Sequence, residues 1–207
     1  MLWRVKVACL LAALGLIIAC SKPPVPMPTS TPYPSPITTV SCPAGYELHV
    51  DRQMGFSACY PADWVIVNGR GEGNALRWMG FASPGSDLKT GEELRLVVVK
   101  VSPPMIEPGA GFLEAIEELL SAEYGQRLLG SPYRILVDGR EAVEVSYIEL
   151  PAVFEGGPLK LGGWTATFLA DGKQWVIEVF GRSGYRTELV GIHGQFLAHF
   201  QVLAPQL

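Results

Sequence analysis

Charge is scarce in this 207-residue chain: Asp, Glu, Lys and Arg make up 17% of it, against 48% hydrophobic residues. That balance excludes an intrinsically disordered chain and a highly charged coiled coil. The 16 Lys and Arg are scattered and the formal net charge is −4. The sequence therefore has no basic field to neutralise phosphates, and nucleic acid is not an expected partner. Histidine is rare, at three residues. His49 falls in an expected strand, and His193 and His199 lie six apart, which puts them on different faces of a helix. The chain lacks the HExxH and CxxC spacings that hold metals and the GxSxG elbow that exposes a nucleophilic Ser. Gly69-Arg70-Gly71-Glu72-Gly73 has the look of a phosphate loop but lacks its Lys-Ser/Thr ending and precedes a strand, so a flexible loop is expected there. Ser183 is expected to cap a helix rather than to react. No cofactor, metal or catalytic set is expected.

Long apolar runs are also absent past residue 19. The best later one, Leu94 to Val101, is broken by Arg95 and Lys100 and reads as a strand. What stands before residue 20 is different. Arg4 and Lys6 precede an apolar run from Val7 to Ala19, then Cys20. A basic start and a short apolar core describe a secretory signal, too short to span a bilayer comfortably. Its ending, Ile17-Ile18-Ala19-Cys20, is similar to a bacterial lipobox, in which the Cys receives diacylglycerol before cleavage. The expected organisation is a lipoprotein signal peptide at 1–19, lipidated Cys20 with a tether to 41, and a folded domain from 42 to 207. The protein is then an extracytoplasmic lipoprotein, held to the membrane through the lipid on Cys20 without spanning it.

Residues 21–41 carry Pro at 23, 24, 26, 28, 32, 34 and 36. Proline at that density disfavours helix and sheet and gives a semi-rigid extended spacer. If Cys9 leaves with the signal and Cys20 carries lipid, Cys42 and Cys59 remain. In an oxidising compartment one bridge is available to them, closing a loop of 17 positions at about 3 kcal/mol of loop entropy; two free thiols are the alternative.

From Gly45 onward the dominant period is two. Strands are expected at Tyr46 to Asp51, Gly55 to Tyr60, Leu76 to Ala82, Glu93 to Val101, Tyr133 to Val137, Arg140 to Leu150, Trp164 to Ala170 and Lys173 to Phe180. Asp138-Gly139 and Asp171-Gly172, each between apolar runs, suit the positive φ angles of tight hairpins. Helical spacing of Phe112, Ile116, Leu119, Leu120 and Leu128 predicts a helix that ends near Gly130, with Glu114, Glu117, Glu118 and Glu123 on its wet side. A second helix fits Tyr185 to Phe200. The expected class is α+β, a central antiparallel β-sheet covered by helices.

The order of landmarks resembles the PsbP-like family, which includes the extrinsic photosystem II subunit and bacterial lipoproteins of the LpqN type. The residues that carry the resemblance are Gly55-Phe56-Ser57 with Tyr60-Pro61 and Trp64, then the mid-chain helix. Next come Val137 to Val145 with Tyr147, the Gly172 hairpin before Trp175-Val176-Ile177, and a closing helix and short strand from Gln195 to Leu203. The resemblance covers about residues 45–203. It implies an α/β/α sandwich that docks to proteins or membrane complexes or binds ligands, with no shared catalytic set.

Two surfaces are candidates for binding. The first is an expected Gly/Pro loop at 151–163 carrying Val153, Phe154 and Leu159, which either meet a partner or fold back on the sheet. The second is Arg70, Arg77 and Trp78, residue types frequent at contact hot spots. Trp64, Trp164 and Trp175 are expected to fill the core. The function expected is a non-catalytic module docking to an envelope protein, with a carrier of a small apolar or lipid ligand as the alternative and a hydrolytic enzyme as a remote one.

Overall fold

The computed structural model describes residues 41–70 and 77–204, the side chains of 68–70 excepted. Two antiparallel sheets and two helices make up this part of the chain. A small sheet pairs β1 (Tyr46–Asp51) with β2 (Phe56–Pro61), and β2 with β10 (Gln201–Val202). The large sheet has seven strands in the order β3 (Val65–Arg70), β4 (Arg77–Ala82), β5 (Arg95–Ser102), β9 (Lys173–Arg182), β8 (Gly157–Ala170), β7 (Arg140–Phe154) and β6 (Tyr133–Val137). Helix α1 (Phe112–Tyr124) follows β5, and α2 (Arg186–Ala198) follows β9.

Alternation along each strand decides what covers each face. On one face Met79, Phe81, Val97, Val99, Trp164, Phe168, Trp175, Ile177 and Val179 meet Leu189 and Phe196 of α2, with Phe56, Ala58 and Tyr60 of the small sheet. On the other, Val143, Val145 and Tyr147 of β7 meet Phe112, Ile116, Leu120 and Tyr124, one every fourth residue of α1. The expected sandwich is therefore present, with the small sheet sharing a face with α2. Trp64, Trp164 and Trp175 are buried as expected.

The two Asp-Gly hairpins form as read: Asp138 and Gly139 take φ of 51° and 72°, Asp171 and Gly172 take 51° and 70°, the doubly positive pattern that matches strand twist. Other expectations need correction. Helix α1 stops at Tyr124, not near Gly130, because Gly125 turns to φ 52° and starts a short 3-10 turn, Gly125–Arg127. Ser183 does not cap α2; a 3-10 turn, Ser183–Tyr185, intervenes, and the Ser183 hydroxyl donates to the Lys160 carbonyl at 3.1 Å. The segment taken as a flexible glycine loop carries a strand as far as Arg70, since Val65–Arg70 pairs with β4 in full register; residues 71–76 lie outside the described residues.

The largest correction concerns 151–163. It is no loop. β7 and β8 continue as paired strands as far as Phe154↔Gly157, so only Glu155 and Gly156 turn. A bulge between Tyr147 and Leu150, with Glu149 at φ 58°, bends the ribbon. Pro151 is tolerated because β6 pairs only with Arg140 to Glu144, which leaves β7 an edge strand at Pro151.

Candidate binding surfaces

The long hairpin brings Phe154 and Leu159 against the segment between β4 and β5. The Glu155 amide donates to the Lys89 carbonyl at 2.9 Å. A Cβ on Gly91 would sit 2.4 Å from Leu159 and 3.1 Å from Phe154. Both side chains are half-buried, and Phe154 joins a cluster with Leu94, Leu96, Val98 and Leu161. Folding back on the sheet is thus the option taken, and the space beneath the hairpin is filled. Val153 projects the other way and is 87% exposed.

Arg77 and Trp78 do not share a patch. Neighbours along a strand point to opposite faces: Arg77 is exposed and lines a cleft on the α2 side, while Trp78 packs against the Leu96–Val98 cluster. Arg70 ends β3 opposite Arg77; its side chain lies outside the described residues, as does Cys20. The sulfurs of Cys42 and Cys59 stand at bonding distance, 2.00 Å, with their Cα atoms 5.6 Å apart. Cys59 is fully buried in β2, so this link fixes the start of the described chain to the small sheet.

Beside α1 the large sheet is only partly covered. A groove of about 230 Å³ runs between the helix and the sheet, with Met105 and Leu119 at its rim, half-buried Lys100, Ser102, Val176 and Glu178 along it, and buried Thr165, Thr167 and Gln174 at its base. Lys100 Nζ lies 2.6 Å from Glu178 Oε2, and the Met105 amide donates to Gln174 Oε1 at 3.0 Å. Tyr124 closes the inner end, its hydroxyl 3.0 Å from Thr165 Oγ1 and its ring stacked on Tyr147 at 4.7 Å. Burial pushes the Tyr124 phenol up to about 12 and holds that of Tyr147 well above its usual value. Both phenols are neutral at pH 7 and so act as hydrogen-bonding groups rather than bases or nucleophiles. Lys100 is engaged by Glu178, so its ammonium is paired within the groove.

A second polar cluster, unanticipated from the sequence, lies under α2. Glu144, 3% exposed at its side chain, faces α2 from β7; its Oε1 accepts from the Tyr133 hydroxyl across the β6–β7 pair. His193 Nε2 approaches Glu144 Oε2 to 2.8 Å, but off the hydrogen-bond axis, leaving both atoms without an aligned partner. The His193 ring stacks on Trp164 at 5.1 Å, the Arg186 guanidinium sits 4.6 Å over the same indole, and Arg186 donates to Ser146 Oγ at 2.7 Å. Arg186 and His193, two helical turns apart, thus tie α2 to Trp164, Ser146 and Glu144. The only advance signal was their seven-residue spacing on the Leu189 and Phe196 side of the helix. Among the described residues no three His, Cys, Asp or Glu side chains converge to hold a metal, and no helix is long and apolar enough to cross a membrane. Burial among the Phe56, Tyr60 and Phe81 rings lowers the His49 pKa and favours its neutral form.

A seven-stranded antiparallel sheet, one helix on one face and a helix plus a three-stranded sheet on the other, defines a layered α+β protein. No family model and no curated protein matches this chain. Among solved structures it is similar to the cyanobacterial PsbP (CyanoP) of Synechocystis, at 14% identity and TM-score 0.51, covering 78% of this chain and 97% of that one. It is also similar to LpqN of Mycobacterium tuberculosis, described as involved in cell envelope biogenesis, at 9% identity, TM-score 0.43 and coverage of 72% and 91%. A Bacteroides thetaiotaomicron protein matches at 13% identity, TM-score 0.43 and coverage of 72% and 46%. The fold of this protein is PsbP-like.

Proposed function

We propose that the protein is a non-catalytic extracytoplasmic module, anchored by lipid on Cys20, that docks an envelope protein through the groove beside α1. The observation that carries the docking reading is the groove itself: a partly open sheet face with a paired, polar floor and an apolar rim, where Met105 is 69% and Leu119 39% exposed. Its 230 Å³ is smaller than the ~300–1,000 Å³ of sites that enclose a whole small ligand. A side chain or two of a partner fits that space better than a lipid does. The filled space beneath the 151–163 hairpin gives the carrier reading no support at that position. The Cys42–Cys59 link, the basic-then-apolar leader and the lipobox-like ending suit an exported, oxidised, acylated protein.

The test places a photo-cross-linking amino acid at position 105, 119 or 153 of the full chain in its own cell envelope. Defined protein adducts from 105 and 119, absent from 153, are expected. Adducts to lipid alone establish a carrier instead, and adducts no different from those at 153 refute the docking face. The anchor is tested separately: Cys20→Ala is expected to leave the detergent phase and to lack the acyl mass.

A further inference from the structure

A second cleft opens where the two sheets part, at the end of the molecule bearing the Arg52–Gly55 and Asp171–Gly172 turns. It holds about 410 Å³ and is lined by Gln53, Met54, Arg77, Val101, Ser102, Pro103, Gly172 and Lys173. Among the described residues two cations and no carboxylate enter this lining. Arg77 stands level with Val101 on β5, Val101 is level with Trp175 on β9, and Lys173 lies two residues further along β9. Two strand spacings and two residues of rise put the Arg77 and Lys173 Cα atoms about 12 Å apart. The same parity sends both side chains to the α2 face, and at that separation two long side chains reach one small group between them.

Among the described residues three acids lie towards this end of the molecule. Asp51 accepts the Gln53 and Met54 amides at 2.8 Å each. Asp138 pairs with Arg140 and accepts the Val202 amide. Asp171 lines an adjoining hollow of about 150 Å³ together with Arg52 and Lys173, so this acid stands near one of the two cations without pairing with it. Among the described residues none of Arg52, Arg77 and Lys173 forms an ion pair. Two cations that face one cleft without an ion-pair partner among the described residues repel one another, and an anion between them removes that repulsion. Arg supplies a planar fork and Lys a mobile point charge, the combination suited to a phosphate oxygen set. The Gln53 amide adds a hydrogen-bonding group, and Met54, Val101 and Pro103 give an apolar wall for the carbon skeleton that bears the anion.

We infer that this cleft binds a phosphate group carried on a short aliphatic skeleton, with Arg77 and Lys173 as its cationic ligands. Ser102 lines both this cleft and the docking groove, but Arg77 and Lys173 face the α2 side, and the inference does not depend on the docking reading. A lipid headgroup and a soluble phosphate ester offer the same chemistry, and the test separates them. The full chain, isotopically labelled and held in phosphatidylcholine nanodiscs, is titrated with glycerol phosphate while the amide resonances of Ser102, Gly172 and Lys173 are followed. A parallel sample uses nanodiscs in which phosphatidylglycerol replaces part of the phosphatidylcholine.

Saturable shifts at these three amides with glycerol phosphate support a soluble ligand. Shifts there only on introducing phosphatidylglycerol support a headgroup. In either arm Arg77→Ala and Lys173→Ala should each weaken binding about tenfold, the usual order for a charge-assisted hydrogen bond removed, with Lys173→Arg restoring it and Lys89→Ala, on the opposite end of the sheet, leaving it unchanged. Absence of shifts in both arms overturns the inference. So do shifts that are linear in concentration, spread over the surface, or unchanged in the Arg77→Ala/Lys173→Ala double variant.

Discussion

Replacing Cys42 by Ser and Cys59 by Ala removes the one covalent link between the start of the described chain and the small sheet. The link spans 17 positions. Releasing a loop of that length returns conformational freedom to the unfolded chain equivalent to about 3 kcal/mol of stability. Cys59 is fully buried, between Ala58 and Tyr60 of β2, so Ala is chosen there to avoid burying a hydroxyl, while Ser suits the half-buried Cys42. In a domain of this size 1 kcal/mol shifts the melting temperature by roughly 2–4 °C, so the variant should melt about 6–12 °C lower. The assay is thermal and urea unfolding of both proteins with and without dithiothreitol. The wild type should lose the same increment on reduction and the variant nothing further. Melting of the variant within about 1 °C of wild type, or equal sensitivity of both to the reductant, would refute the argument that loop entropy holds this end of the fold.

Gly163→Ala should cost about 3 kcal/mol or prevent folding, because the added Cβ falls 2.1 Å from the Val179 carbonyl oxygen and 2.8 Å from the Phe180 Cα; urea unfolding showing a loss under 1 kcal/mol would contradict that close approach. Glu144→Ala removes the acceptor of the Tyr133 hydroxyl and the group facing His193 and should cost about 1–3 kcal/mol, with Glu144→Gln milder; equal losses by chemical denaturation would show that hydrogen bonding there is irrelevant. The raised Tyr124 phenol predicts alkaline sensitivity: its contribution is fully present below the unfolded value of 10.0 and is lost as pH rises towards its folded value of about 12. In that window stability should fall by about 1.4 kcal/mol per pH unit from this group alone, and Tyr124→Phe should flatten the slope; an unchanged slope would remove Tyr124 from the account. Val153→Asp, at an 87% exposed position, should change stability by less than about 0.5 kcal/mol.

What was legible in the sequence was whatever local chemistry fixes. The alternation of Tyr46–Asp51 and the two Asp-Gly turns depend on neighbours a few residues away and stand where they were expected, while the strand expected at Glu93 to Val101 runs Arg95–Ser102 and the helix that starts at Phe112 ends at Tyr124. The 151–163 segment misled because its glycines and prolines read as a loop, whereas ladder bonds from the partner strand, a bulge at Glu149 and contact with Gly91 make it a bent hairpin. β3 was missed because an exposed edge strand beside Asn68 and Gly69 needs only β4 to form. α2 was placed with ragged ends, since its buried side carries Arg186 and His193 and dilutes the apolar stripe.

The candidate sites divide the same way. The sequence by itself determined the proline-rich stretch and the α+β class, because each rests on composition or on a short-range period. It joined Arg77 to Trp78 as one surface, and only the pleat of β4 separated them, turning one to an open cleft and the other into a cluster. The groove beside α1, the Glu144–His193 contact and the convergence of Arg77 with Lys173 bring together residues up to 96 positions apart on strands that meet solely through sheet order. Spacing along the chain carries no trace of such meetings; register and packing across the sheet create them.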